Sequence, residues 1–282
     1  MNKLSVVLSV RNEEKNIGKC LDSVKDIANE IVVVDEHSTD KTCEIAKKYD
    51  AKVYSEPHHD IFHVTKQKAL DHATGDWILQ LDADEVVTPG LAGEIKQVLN
   101  GTHSVVVNKL FERHQKAVEE RDGSIGTKEG EVSGYFIPRK NMFLGKPLIH
   151  AGVYPDGVIR LVRRGKAHFP QKSVHEQIII DGKVEWLKND LEHHDSPSLK
   201  RYFARMNRYT DLRAQGFASQ KVTKNLWSLL RYAFYAPLLT YCNLFFRHLG
   251  FLDGARGFLW SFFSAMHYPI SYFKYLTGGY NK

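Results

Sequence analysis

Three strand-like apolar runs within the first 85 residues end in polar or acidic side chains. Leu4–Val10 runs into Arg11, Asn12 and Glu13, Glu30–Val34 into Asp35, and Trp77–Leu81 into Asp82. Segments of helical spacing lie between and after them, at Asn16–Ile27, Thr42–Tyr49, Val64–Ala73 and Pro89–Leu99, with Lys52–Tyr54 as a further short strand. Strands alternating with helices through short connections predict an α/β fold on a mostly parallel sheet. Ligands of such sheets sit outside the carboxyl ends of the strands. Asp35 and Asp82 each stand at such an end.

The densest local chemistry is Ile78–Glu85, ILQLDADE. An apolar strand delivers Asp82 and Asp84 into the loop that follows. Two carboxylates one residue apart can share a divalent cation and ribose hydroxyls, and Mg²⁺ or Mn²⁺ prefers such hard oxygen ligands, completed by substrate phosphates. A solvated acidic turn is the plain alternative. Asp35 could accept hydrogen bonds from a base or ribose, whereas Ser38, Thr39 and Asp40 read as caps of the next helix. Arg11 and Glu13 could line a nucleotide pocket or be surface charges.

The order SVVLSVRNEE, VVVDEHSTDKT, ATGDWILQLDADE resembles family-two glycosyltransferases over residues 4–99. The resemblance implies a GT-A fold, a Rossmann-like and mostly parallel sheet that binds a nucleotide diphosphate sugar. It puts Arg11, Glu13 and Asp35 on the nucleoside, Asp82 on ribose or metal, and Asp84 on the metal as principal ligand. Lys66 and Gln67 fall where the family often has an Arg-Asn pair in its donor site. His37 stands where many relatives have glycine.

The second half is similar to a narrower branch, the bacterial lipopolysaccharide-core β-glucosyltransferases and their lipid-linked relatives. The segments that carry this are YFIPRKNMFLG, YPDGVIRLVRR, SVHEQIIIDG and HHDSPSLKRYFARMNRYTDLRA. Glycosyl transfer needs a base for the acceptor hydroxyl, and Glu176 matches the place where the family puts it. His175 could help hold the metal, orient Glu176 or merely pack. Arg160 and Arg163 could neutralise the leaving diphosphate, because guanidinium matches phosphate oxygens in a fork. His193 and His194 stay open between acceptor-site edge, metal neighbour and ordinary surface.

Charge divides the chain unevenly. Residues 199–282 hold 12 lysines and arginines against 2 acidic residues, a net of +10, so the overall +6 leaves −4 for residues 1–198. The expected organisation is a catalytic domain over 1–198, with a nucleotide-binding part to residue 100 and an acceptor-side part after it. A helical, basic and aromatic region follows over 199–282. Ser104–Phe111 reads as a strand, Glu112–Gly134 as an exposed loop, Tyr135–Ile180 as short strands, and Leu199–Ala214 as a helix. Leu226–Phe246 has nearly the length of a membrane span, but Arg231, Pro237 and Asn243 favour an interfacial element.

Charge alone admits nucleic acid or anionic lipid. The aromatic pattern favours an anionic membrane surface, and no nucleic-acid partner is expected; oligomerisation through the same helices is an alternative use of them. With Cys20, Cys43 and Cys242 far apart and no signal peptide discerned, the expectation is a reduced, cytoplasmic protein on the inner face of the cell membrane. The expected reaction is metal-dependent, inverting transfer from a nucleotide diphosphate sugar, UDP-linked by expectation, to a lipid-linked glycan hydroxyl. The alternatives are a haloacid-dehalogenase-type phosphatase, which needs its Asp-x-Asp on the leading strand, and a non-catalytic membrane or nucleic-acid binding module. A nicotinamide dehydrogenase is not expected, because no Gly-x-Gly-x-x-Gly follows the first strand.

Overall fold

The computed structural model describes residues 2–59, 61–170 and 177–280. They form two compact units, one of residues 1–140 and 155–193, the other of residues 141–154 and 194–282.

The first unit opens with β1 (Leu4–Val10), α1 (Ile17–Asp22), β2 (Glu30–Asp35), α2 (Thr42–Lys47), β3 (Lys52–Ser55), α3 (Phe62–Asp71) and β4 (Trp77–Leu81). Next come β5 (Glu85–Val87), α4 (Pro89–Leu99), α5 (Lys109–Asp122) and β6 (Thr127–Ile137). Its seven-stranded sheet runs in the order Lys183–Trp186, β6, Val158–Arg163, β4, β1, β2, β3. β4, β1, β2 and β3 are parallel to one another, and Val158–Arg163 lies antiparallel between β4 and β6. The chain winds outward from β1 to β3 and then returns to the other side of β1 as β4. The strand order therefore reverses at β1, which is where open sheets of this kind bind ligands.

Alternation along the strands explains why both faces are covered. Leu4, Val6, Leu8 and Val10 of β1 join Ile17, Cys20 and Leu21 of α1 and Leu91, Ile95 and Val98 of α4 in one core. Val7 of β1 and Ile78 of β4 face the other way, onto Ala69 and Leu70 of α3. The tight entry to β4 needs Gly75, since a Cβ there would lie 2.8 Å from the Lys3 carbonyl oxygen and the Ser5 nitrogen.

Two sequence expectations differ from the structure. Residues 103–107 have no regular structure, and Lys109–Asp122, read as strand end and loop, is helical. Asn108 starts that helix by accepting a bond from the Leu110 amide at 2.9 Å. Phe111 and His114 meet the Trp186 ring at 4.6 and 5.9 Å, Gln115 accepts from its Nε1, and Val118 is buried. Positions 111, 114, 115 and 118 form a single helix stripe. The loop expected to follow ends at Thr127, where β6 begins.

In the second unit Ser198 caps the Leu199–Ser219 helix, and Tyr202, Met206, Thr210, Ala214 and Phe217 form its buried stripe. The stripe packs on the Gly254–Thr277 helix, where Lys274 donates to the Asn207 carbonyl oxygen at 3.0 Å and to Asp211 at 2.7 Å. Residues 226–247 are helical with π-helical turns at Arg231–Tyr235 and Asn243–Arg247, the first ending just before Pro237. A proline cannot donate the i→i−4 bond, so a widened turn there fits its chemistry. Among the described residues, no helix is long and apolar enough to cross a membrane.

Candidate functional site

Register brings the strand ends together. Val10 lies beside Asp35, and Leu8 beside Leu81, so Asp35 and Asp82 leave the sheet on either side of the end of β1. With neighbouring strands ~4.8 Å apart, the gap between the two carboxylates is on the order of 10 Å. The backbone makes two sharp reversals there: Asn12 and His37 both have positive φ, 56° and 55°. This is the left-handed region that favours glycine, which accounts physically for glycine at the His37 position in relatives.

The loops after β1 and β2 are bonded to one another. The Asn12 side chain accepts from the Thr39 amide at 2.8 Å, Ser38 Oγ from the Asn12 amide at 2.8 Å, and Thr42 Oγ1 from the Glu13 amide at 2.8 Å. Asp40 accepts from the Thr42 and Glu14 amides, so its role here is structural. Arg11 is exposed, and Glu13 is half-buried with its carboxylate on Asn16 at 2.6 Å. Asp35 is buried, and one of its oxygens accepts from the Ser38 amide at 3.0 Å. The other oxygen, Oδ1, is buried without an N–H or O–H donor among the described residues. Its neighbour is the Cys43 thiol, pushed up to about 11 by burial and by the carboxylate. A thiol is a weak donor, so this oxygen retains most of its accepting capacity.

At the end of β4 the Asp82 carboxylate stands between two cations. Lys66 Nζ, from α3, is 2.5 Å from Oδ1, and Arg160 Nη2 is 2.5 Å from Oδ2. Burial would raise the Asp82 carboxyl, but Arg160 and then Lys66 outweigh it and hold it well below the usual carboxylate range. Lys66 shifts downward, because burial and the nearby Arg160 count for more than Asp82 does. The two shifts pull in opposite senses: the carboxylate is firmly ionised, and Lys66 is the charge this site tolerates least. Arg160 also grips Glu85, which is fully buried, at 2.7 Å, and Gln80 at 2.5 Å. Arg139 extends the network from Glu85 at 3.3 Å to Asp156 at 2.6 Å.

Asp84 faces His193, with Oδ1 3.7 Å from Nε2. Burial and then Arg139 push the His193 imidazole down to about 3, so the ring is neutral. Neutral imidazole is the form that ligates metal. The separation exceeds a hydrogen bond and approaches the roughly 3.0–3.4 Å between two ligands of one small cation. Among the described residues no group of three or more His, Cys, Asp or Glu stands ready for a metal. The donor set nevertheless fits Mg²⁺ or Mn²⁺, which commonly takes one or two protein ligands and completes its shell with water and phosphate.

The structure thus brings Asp82, Asp84, Lys66 and Arg160 together, with Asp35, Arg11 and Glu13 across the end of β1. Two expected residues are elsewhere. Gln67 is the next residue on α3 and points away, bonding Asp71 at 2.7 Å and the Phe169 amide at 2.9 Å. Arg163 pairs with Trp77, at the start of β4, and its guanidinium meets Glu131 and the Trp77 ring. Its strand runs antiparallel to β4, so three residues past Arg160 lead toward the opposite edge of the sheet. Glu176 and His175 lie outside the described residues. Glu85, Arg139 and Asp156 were not among the expected site residues, and His193, left open as a metal neighbour, stands beside Asp84. Glu85 and His193 had a readable signal, one in the acidic run after β4 and the other in the HHD segment. Arg139 and Asp156 meet only through the folded chain.

Residues 5–153 match the family described as Glycosyl transferase family 2. A lipopolysaccharide core biosynthesis glycosyltransferase, LpsC, of Rhizobium meliloti (strain 1021) is 25% identical over 276 residues, covering 93% of this chain and 90% of that protein. An uncharacterized glycosyltransferase of Rickettsia typhi is 26% identical over 229 residues, covering 78% of this chain and 70% of its own. Among solved structures, glucosyl-3-phosphoglycerate synthase from Mycobacterium tuberculosis, in complex with Mn²⁺, UDP-glucose and phosphoglyceric acid, is 26% identical with a TM-score of 0.31. That match covers 36% of this chain and 40% of the mycobacterial one.

Proposed function

The chain belongs to glycosyl transferase family 2, and from that premise we propose that it moves a sugar from a nucleotide diphosphate donor, UDP-linked, to a hydroxyl of a lipid-linked glycan such as a lipopolysaccharide core. The observation that carries the reading is the convergence of Asp35 and the Asp82–Asp84 pair at the end of β1. The buried Asp35 Oδ1 is suited to an imino N–H of the base. Arg160 and Lys66, now on Asp82, carry the positive charge a departing diphosphate requires. A divalent metal held by Asp84, with Asp82 and His193 beside it, would supply Lewis-acid stabilisation of that leaving group.

The phosphatase alternative loses its premise, because the Asp-x-Asp follows β4 and not the leading strand. The test is a screen of nucleotide sugars for binding with and without Mn²⁺. Metal-enhanced binding of a uridine donor is expected, and absence of binding by every donor at millimolar concentration would overturn the reading.

Glu176 is proposed as the base, a role it takes from the family resemblance, and inversion follows from direct attack by the activated hydroxyl. Glu176→Gln is expected to lower turnover by roughly 10²–10⁴-fold while leaving donor affinity nearly unchanged. A loss confined to donor binding would move the base to another residue.

The second unit is proposed to rest on the anionic inner face of the cell membrane. Trp227, Phe234 and Leu238 are 79%, 65% and 65% exposed, far beyond what packing residues show. Arg231 and Arg247 share their segment, and basic charge with interfacial aromatics is the chemistry of peripheral lipid binding. Changing Trp227, Phe234 and Leu238 together to serine should cut co-sedimentation with anionic vesicles roughly a hundredfold, from loss of about 1 kcal/mol of partial burial at each. Unchanged binding would rule out this face. Loss of a dimer in place of vesicle binding would assign it to self-association.

A further inference from the structure

The second unit contains a cavity of about 300 Å³ whose lining includes none of the strand-end residues. Arg205, Tyr209 and Arg213 reach it from the Leu199–Ser219 helix, and Trp260, His267 and Tyr268 from the Gly254–Thr277 helix. The hydroxyl-bearing Thr240 and Ser264 line it too, and no Asp or Glu does. The Arg213 guanidinium carbon lies 4.4 Å from the centroid of the Tyr268 ring. Such stacking occupies the face of a guanidinium and leaves its N–H edge to bond in plane. Arg205 pairs with the Asp195 carboxylate.

With Arg205 paired to Asp195, Arg213 is the charge that the acid-free lining offers to a ligand. His267 registers it: burial first, then Arg213 and Arg205, push its imidazole down to about 4. Burial and the two guanidiniums together keep the ring neutral. A cationic lining of this kind gains most from an anion with several acceptor oxygens. The aromatic and thioether walls, Trp260, Tyr202 and Met206, suit an apolar or ring-bearing body attached to that anion. Compact oxyanion recognition with an apolar wall is the usual composition of small-ligand pockets.

We propose that the helical unit carries a second binding site, for a phosphate or carboxylate group borne on a molecule with an apolar portion. The site involves neither the donor nor the residues at the strand ends, so its test needs no nucleotide. Its ligand could reach it as a soluble sugar phosphate or as the headgroup of an amphiphile, and the shared chemistry is the oxyanion.

The full chain is titrated by calorimetry with dodecyl phosphate below its micelle concentration, with glucose 6-phosphate, and with uncharged octyl glucoside, all without nucleotide. One-to-one binding of dodecyl phosphate is expected, with octyl glucoside at least tenfold weaker. Arg213→Gln should weaken phosphate binding at least tenfold, the loss of one charge-assisted contact, and Arg213→Lys should restore part of it. Arg213 is exposed, so the variants are expected to keep the parent melting temperature. Replacing Trp227, Phe234 and Leu238 with serine should leave the one-to-one binding intact, which separates the cavity from the outer apolar face. Glucose 6-phosphate binding as tightly as dodecyl phosphate assigns the site to soluble sugar phosphates, and weaker binding assigns it to amphiphile headgroups. Binding no tighter than octyl glucoside for both phosphates, or unaltered by Arg213→Gln, overturns the site and leaves the transferase reading untouched.

Discussion

Arg160→Met is expected to lower the free energy of unfolding by about 3 kcal/mol, measured by urea denaturation, and to abolish turnover. Removing one partner of a buried ion pair costs roughly 3–5 kcal/mol, because the other charge stays behind uncompensated. The stranded charge is Glu85, which has no exposure and loses contacts of 2.7 and 3.2 Å. Arg139 remains 3.3 Å away, which places the expectation at the lower end. Asp82 keeps Lys66 and is partly open to solvent, so it adds less. Combining Arg160→Met with Glu85→Gln should recover part of the loss, since the stranded charge is then gone. A single-variant loss under about 1 kcal/mol, or no recovery in the double variant, would show that Glu85 does not depend on Arg160.

Asp84→Asn separates chemistry from folding. The change keeps shape while removing one anionic oxygen, and Asp84 is 3.7 Å from the His193 ring and not in one of the buried ion pairs named above. If Asp84 is the principal metal ligand, turnover should fall by roughly 10³-fold, the kinetic equivalent of the several kcal/mol a Lewis acid supplies. The melting temperature without metal should stay within a few degrees of the parent. Metal-dependent turnover at the parent rate would exclude the assignment. A falling melting temperature with turnover per folded molecule preserved would make Asp84 structural.

Legibility in the sequence followed how locally each feature is encoded. β1, β2 and β4 were readable because their apolar runs are continuous and buried on both faces, and their ends are marked by charge. Pro89–Leu99 was readable to the residue, since Thr88 caps it and Pro89 sits in its first turn. α5 was not, because most of its fourteen residues are polar and only Phe111 and Val118 mark its buried stripe. Within the site, Asp82 and Asp84 came from one strand end and needed no tertiary knowledge. Arg160 and Arg163 looked equivalent in LVRR and its flank. Only the antiparallel register against β4 separates the residue beside Gln80 from the one beside Trp77. Lys66 and Gln67 divided for the same kind of reason, as adjacent helix positions about 100° apart face different surroundings.

The two-faced packing of β1 has a consequence for how such a chain can vary. Its residues are dealt alternately to two separate cores, Leu4, Val6, Leu8 and Val10 to one and Val7 to the other. One codon inserted or deleted inside the strand would exchange every assignment beyond it, so that seven-residue stretch must keep count. Past Val10 and past Leu81 the strand register no longer sets the count, although Ala83 still reaches the first core. Length changes are therefore less costly where the chain leaves the sheet than inside the strand, as long as the bonds between the loops after β1 and β2 are kept. A lineage of such proteins could revise what it binds by lengthening or trimming those segments while its scaffold stayed in frame.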